Sequence, residues 1–334
     1  VARRWPAVST RAVPLGRTPR FRLGAVLSLS IVAPAAAEEG GSGHYLPGTI
    51  SSFMDGVSPV PVLITRLNVI AYSGSLGGGR SLPVAGLATF GADVESQALG
   101  LTLFWRPSWG RLGERWSYAM STTIPFVWVD VSADIASDTV GITKRVSDSE
   151  SGLGDILLTP LMLNYHLSDE ININGRLNIF APSGDYELGR LANPGKNYWT
   201  FEPVLGFLYL GAKNGREASL FFGTDFNTEN DATNYRSGTQ LHIDGTVAQH
   251  LPLGPALVGL GATGYWYQQV EGDSGSGARF GDFKARTSGI GPSLSYVQTI
   301  WGKKWMAEFK WVHELDVRRR PDGDVFVLKA MVAF

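Results

Sequence analysis

Five histidines, His44, His166, His242, His250 and His313, are the most chemically versatile side chains in this 334-residue sequence, which contains no cysteine. No two of them stand four residues apart, so a His-x-x-x-His metal pair is missing, as are a Gly-x-Ser-x-Gly nucleophile elbow and a thiol nucleophile. The run Gly77-Gly78-Gly79-Arg80 lacks the Lys-Ser/Thr and the following helix of a phosphate loop. Two combinations merit weighing. His242 and Asp244 share one side of an alternating segment and could relay a proton, or simply be two polar residues lining an interior. His313-Glu314 with Asp316 could form the acid–histidine pair of a hydrolase, but nothing else marks that site. The sequence therefore assigns no catalytic residue, no cofactor and no metal ligand, and the expectation is that the chain is not an enzyme.

The stronger polar signal is spread along the chain. Arg66, Asn68, Asn174, Arg176, Glu202, Asp225, His242, Asp244, Glu308, Lys310 and Lys329 alternate with apolar neighbours, as do Asn172, Asn178 and Glu217. Such residues need strands to hold them, because side chains two apart on a strand share a face. In Ile171-Asn172-Ile173-Asn174-Gly175-Arg176-Leu177-Asn178-Ile179 one face is apolar and the other polar. Trp305, Ala307, Phe309, Trp311 and His313 alternate likewise with Lys304, Met306, Glu308, Lys310, Val312 and Glu314. Twelve segments of this kind are expected, at about 62–73, 94–105, 116–133, 155–166, 170–181, 198–211, 217–228, 238–250, 256–269, 286–299, 303–315 and 324–334. Most reach the roughly 9–11 residues that a tilted strand needs to cross a bilayer.

The connections alternate in length. Long ones are expected at 74–93, 134–154, 182–197, 229–237 and 270–285, and short ones at 167–169, 212–216, 251–255 and 300–302. Short turns at one rim and long loops at the other are the pattern of an outer-membrane barrel, with both strand termini on the periplasmic side. Composition agrees. Charged residues are 18 %, aromatics 11 %, and glycines number 41. The 44 % hydrophobic content excludes a disordered chain, the net charge of -1 gives no nucleic-acid footprint, and no apolar run after the N-terminal region is long enough for a transmembrane helix. Tyr198, Trp199, Tyr209, Tyr265, Trp266, Tyr267, Trp301 and Trp305 fall near strand ends, where aromatic girdles would sit. His166 and His250, next to short turns, read as exposed rim residues. The fold class is thus all-β: a transmembrane antiparallel barrel of about 12 strands over 62–334.

Residues 1–37 read as a signal peptide: six arginines, an apolar stretch from Leu23 to Ala33, and Ala35-Ala36-Ala37 before the first acid at Glu38. Residues 38–61 are then a short periplasmic segment or a plug in the barrel mouth. At the other end, Phe326, Leu328, Ala330, Val332 and Phe334 form an apolar face of the kind read by barrel assembly machinery. Expected partners are that machinery, outer-membrane lipids and a small solute, with no nucleic acid.

Several local stretches carry a resemblance. They are Ser42-Gly43-His44-Tyr45-Leu46-Pro47-Gly48 with Asp55-Gly56, Gly152-Leu153-Gly154-Asp155, and Ala181-Pro182-Ser183-Gly184-Asp185-Tyr186 leading to Gly189-Arg190-Leu191-Ala192-Asn193 and Asn197-Tyr198-Trp199. Over roughly 42–334 the chain resembles the family of outer-membrane proteins named for the meta-pathway of phenol degradation. The resemblance implies a transporter-like barrel that passes small hydrophobic or aromatic compounds. A structural or adhesive barrel without transport, and less readily a barrel hydrolase, are the alternatives. The glycine and aspartate motifs also suit turn chemistry alone.

Overall fold

A computed structural model describes residues 39–85, 87–136, 143–278 and 284–334. The leader expected over 1–37 lies outside them. Among the described residues thirteen long strands follow one another: β1 (Val62–Val84), β2 (Leu87–Arg106), β3 (Trp116–Ala136), β4 (Thr143–Leu153), β5 (Ile156–His166), β6 (Ile171–Ala181), β7 (Thr200–Leu210), β8 (Arg216–Asn227), β9 (Gln240–Leu253), β10 (Ala256–Gln269), β11 (Arg286–Ile300), β12 (Lys303–Arg318) and β13 (Asp322–Ala333), besides a two-residue strand, Arg111–Leu112, paired to the start of β3. Each pairs antiparallel with its neighbour in the wall, and β1 pairs with β13 from Ile64↔Ala333 to Ser75↔Asp322, which closes the sheet. β4 and β5 occupy one position, stacked end to end along β3 (Phe126↔Leu153, then Thr123↔Leu157), so the barrel has 12 strand positions.

Side chains explain why the sheet closes with this face outward. Leu99, Leu101, Leu103 and Trp105 on β2, Phe309 and Trp311 on β12, and Phe326 and Leu328 on β13 are all exposed, whereas Asn174, Glu308, Lys310 and Lys329 are buried. This inverts a water-soluble protein. Only a closed sheet pairs every backbone amide inside lipid, and lipid takes the apolar half of each alternation. At the short-turn rim, Trp301 (φ 52°) and Gly302 (φ 74°) form a two-residue hairpin turn with both residues left-handed, which matches the twist of β11 and β12.

Two expected long loops contain strand. β1 runs to Val84 and β2 begins at Leu87, so most of 74–93 is hairpin, and 134–154 contains β4. Apolar outward residues give way here to exposed Asp93, Glu95 and Asp130, which marks the upper limit of the lipid-facing band. The strands persist beyond it because they enclose their own core of Leu76, Val84, Ala92, Val131 and Ala133, closed by Leu191 and Ala192. The aromatic girdle also needs correction. Trp199, Trp266, Trp301 and Trp305 are exposed, but Tyr198, Tyr265 and Tyr267 are buried inside the barrel. Tyr265, Trp266 and Tyr267 are consecutive on β10, so strand alternation must send Trp266 one way and both tyrosines the other.

The wall has one irregular place. β5 pairs with β6 from Ile156↔Ala181, but among the described residues β4 pairs only with β3, and no described strand lies on its other edge. The segment 182–199 covers that edge. Asp185 N–H donates to Leu153 O (2.8 Å), Leu153 N–H to Asp185 Oδ2 (3.0 Å), Ile156 N–H to Ser183 Oγ (2.9 Å) and Ala192 N–H to Asp148 Oδ2 (3.0 Å). Gly184 crosses Gly154 and Gly195 so closely that a Cβ would lie 2.7 Å from Gly195 Cα and 2.8 Å from the Gly154 carbonyl carbon. Only glycine permits that crossing.

Candidate functional site

Residues 39–57 thread the lumen, and 58–61 lead out to β1 with Val60 exposed. Their two single-turn 3-10 segments, Glu39–Gly41 and Phe53–Asp55, have too few internal hydrogen bonds to stand alone, and wall side chains supply the remainder. Asp55 is the main anchor. Its carboxylate accepts from Lys329 Nζ (2.9 and 2.8 Å), Arg66 Nη1 (3.1 Å), Ser51 N–H (2.9 Å) and Ser52 N–H (3.2 Å). Burial alone would raise this carboxyl, but Lys329, Arg66 and Lys310 outweigh it and hold it below the ordinary carboxylate range. Glu308 lies 2.9 Å from Lys310 and 3.3 Å from Lys329, and Lys310 donates to Ser51 Oγ (2.6 Å). Arg176 donates to Asp55 O and to Asn174 Oδ1 (2.7 Å).

A second anchor lies further along the lumen. Tyr45 Oη donates to Asp244 (2.9 Å), Gly48 N–H donates to the same carboxylate (3.0 Å), and the Tyr45 ring stacks on His242 at 4.0 Å. His44 contacts Asp155 Oδ2 through Nε2 (2.9 Å) and Thr200 Oγ1 through Nδ1 (2.7 Å), and stacks on Phe180. Asp155 sits in the break between β4 and β5 and also accepts from Gly184 and Lys196 N–H, so the threaded segment touches the irregular wall directly. Burial pushes the His44 imidazole below its ordinary range, with Asp155 opposing.

Between the threaded segment and the wall lies a cavity of about 300 Å³. Ile70, Val94, Ala98, Val127, Val129, Leu157 and Phe180 form an apolar side; Arg66, Asn68, Arg176, Asn178, Glu202 and His242 supply polar groups. The core residues Val84, Val131 and Leu191, beyond the lipid-facing band, reach the same cavity, so apolar surface is continuous from that mouth inward.

All eleven residues singled out from the sequence lie on the inner face, ten of them in two groups and Asn68 apart. Arg66, Glu308, Lys310 and Lys329 converge on Asp55. Glu202, Asp225, His242 and Asp244 converge on one another. Asn174 and Arg176 join the first group through Asp55 O, while Asn68 donates to Thr102 Oγ1 (3.0 Å). The mixed charges therefore pair largely with the threaded segment rather than across open water. Sequence reasoning missed Asp55, His44 and Asp155 as site residues. Their only signal was local motif spacing, since the contacts that bring them into the site are distant: Asp155 lies 111 positions from His44, and Lys329 lies 274 positions from Asp55.

One reading of histidine is overturned, and one disfavoured possibility is removed. His250 is buried, 2.8 Å from Glu217 Oε2 and against the edge of Phe53, because the threaded segment covers that rim from inside. His313 faces outward, 3.0 Å from Asp324, whereas Glu314 faces inward beside Tyr265 and Tyr72. Adjacent residues on a strand point oppositely, so that acid–histidine pair does not assemble.

A closed antiparallel cylinder, apolar outside and polar within, defines a β-barrel of the outer-membrane class. Among solved structures, it is similar to an outer membrane channel from Pseudomonas putida F1, with 16% identity over 87% of this chain and 100% of that one and a TM-score of 0.61. Looser matches are the beta domain of the Bordetella autotransporter BrkA (11% identity, 82% and 100% coverage, TM-score 0.45) and a Pseudomonas aeruginosa FadL homologue (9%, 82% and 89%, 0.36). No curated protein sequence matches the chain. The chain belongs to the family described as "Putative MetA-pathway of phenol degradation", whose model matches residues 73–330.

Proposed function

We propose that this barrel admits small hydrophobic or aromatic compounds across the outer membrane, without cofactor and without catalysis. The observation that carries the reading is the cavity: largely apolar along β1–β6, with a few polar groups from β1, β6, β7 and β9, and of a volume at the lower end of small-molecule sites. A lumen built for ions or sugars would be polar all round and open. Family membership and the likeness to a Pseudomonas putida outer membrane channel support the same direction.

The route follows the apolar surface. A solute partitions into the extracellular core around Leu76, Val84 and Leu191 and passes to the cavity, where Arg176, Asn178 or Arg66 can meet its polar group. Two ways out are covered by single segments rather than by paired strands: past the threaded segment into the periplasm, or sideways at the β4–β5 break, where 182–199 covers the wall. A hydrophobic solute gains from the second because lipid is its preferred solvent. In this reading residues 39–61 act as the plug, residues 1–37 as the cleaved leader, and the alternating last strand as the element that assembly machinery reads.

The test is uptake. Proteoliposomes holding the purified barrel should accumulate a radiolabelled monocyclic aromatic faster than empty liposomes. A deletion strain should also grow more slowly on limiting aromatic carbon, and regain growth on complementation. Normal growth on every aromatic tested, with no solute passage in liposomes, would leave a structural role in its place.

A further inference from the structure

Three lumen side chains from three adjacent strands bring metal-ligating atoms together: Glu202 on β7, Asp225 on β8 and His242 on β9, all within 4.8 Å of one another. His242 Nε2 lies 2.9 Å from Glu202 Oε1 and 3.9 Å from Asp225 Oδ1. His242 is only 3 % exposed, and its Nε2 pairs with Glu202 Oε1 at 2.9 Å without good hydrogen-bond alignment, so the imidazole edge and the carboxylate border a common space. Two ligands of one cation with bonds of about 2.1 Å meeting at 90–110° lie about 3.0–3.4 Å apart; the Glu202–His242 separation is close to that, and a bound ion would draw Asp225 in from 3.9 Å.

The surrounding groups are those that hold metal ligands in place. His242 Nδ1 is 3.0 Å from Asp244 Oδ2, the carboxylate–imidazole contact that orients a ring and presents its other nitrogen to a metal. Asp244 is itself held by Tyr45 and Gly48. Glu202 Oε2 accepts from Asn178 Nδ2 at 2.8 Å, leaving Oε1 toward the imidazole. Gly223 makes room, since a Cβ there would lie 2.0 Å from His242 Nε2. Glu202 and His242 both line the cavity, which gives a cation its path. The nearby guanidinium of Arg176 is committed to Asp55 O and Asn174.

The geometry points to a divalent-cation site formed by Glu202, Asp225 and His242, which ties β7, β8 and β9 together beneath the ring of Tyr45. One imidazole nitrogen and two carboxylates suit a first-row transition ion such as Zn²⁺ or Mn²⁺; Mg²⁺ and Ca²⁺ favour all-oxygen shells. The site's role is to brace the wall where the threaded segment docks, and it holds whether or not a solute passes.

The test uses the full barrel purified from outer membranes, stripped with EDTA and dialysed against Zn²⁺ alone. Elemental analysis should find one Zn²⁺ per chain. Co²⁺ in its place should give visible absorption bands that change when His242 is replaced. Glu202→Gln, Asp225→Asn and His242→Gln, isosteric or nearly so, should each weaken binding at least about ten-fold, the scale on which ligand-shell changes act. Heat-modifiable gel mobility verifies that each variant remains a barrel, and His250→Gln should bind as the parent does. The inference is overturned if the stripped barrel takes up no Zn²⁺, if the three replacements leave affinity unchanged, or if only His250→Gln abolishes it.

Discussion

Replacing Asp55 with Asn should unseat the threaded segment while leaving the barrel intact. The carboxylate meets Lys329 Nζ at two distances under 3.0 Å and Arg66 at 3.1 Å, and Lys329 and Asp55 are each 1 % exposed at the side chain. Removing one partner of a buried pair costs about 3–5 kcal/mol, chiefly because the other charge is left uncompensated. Asn keeps an oxygen for the Ser51 and Ser52 amides, and Glu308 still faces Lys329, so the lower end of that range applies. About 3 kcal/mol corresponds to roughly a 100-fold shift from seated toward unseated, at 1.4 kcal/mol per factor of ten. The barrel wall keeps its own hydrogen bonds, so the loss falls on docking. Two assays read it: single-channel conductance in planar bilayers, and maleimide-PEG labelling of a Thr49→Cys reporter, which is unique because the chain has no other cysteine. Asp55→Asn should raise both, and adding Lys329→Met should reverse part of the rise by removing the orphaned charge. Conductance and labelling equal to the parent's, in a protein that still shifts on heating, would refute the reasoning.

Leu205→Arg on β7 puts a charge on the lipid face and should cost about 2–4 kcal/mol near the midplane, read as a lower urea midpoint in refolding; an unchanged midpoint would mean the facing is wrong. Asn174→Arg should also destabilise, because Asn174 is fully buried and bonded to Leu163 O and Arg176; its cost is overpacking, measured in the same titration. Asp185→Ala removes the carboxylate that accepts from Leu153 N–H and should speed passage of a hydrophobic dye from the lumen into lipid, with conductance to ions little changed. His44 gives a pH dependence. Its imidazole is held below the ordinary value near 6.5 chiefly by burial, so the docked state binds fewer protons than the released one. Docking should therefore be complete above about pH 6.5 and weaken as pH falls below it, seen as faster Thr49→Cys labelling in acid; a His44→Asn barrel should lose that slope.

Strand identity and facing were legible because lipid imposes a period of two along the membrane-spanning part of each strand. Asn174, Arg176, Glu308 and Lys310 could be placed inward from their neighbours alone. The number of strand positions followed from counting those alternations, and the rims followed from connection length. The hairpin above the membrane and β4 were not legible, since their outward residues are polar and Gly77-Gly78-Gly79 reads as loop; only pairing with β3 and a core shared with Leu191 makes them strands. Trp266 and its flanking tyrosines resemble a girdle in sequence, yet closure of the sheet sends the tyrosines inside. The site was decided by tertiary structure almost wholly. The sequence determined that Glu202, Asp225, His242 and Asp244 share a face, but register between β7, β8 and β9 sets the distance between them. Likewise Asp55 and Lys329 are distant in sequence and in contact in the lumen, because a closed barrel forces everything inside it, including the segment that precedes β1, to share one small volume.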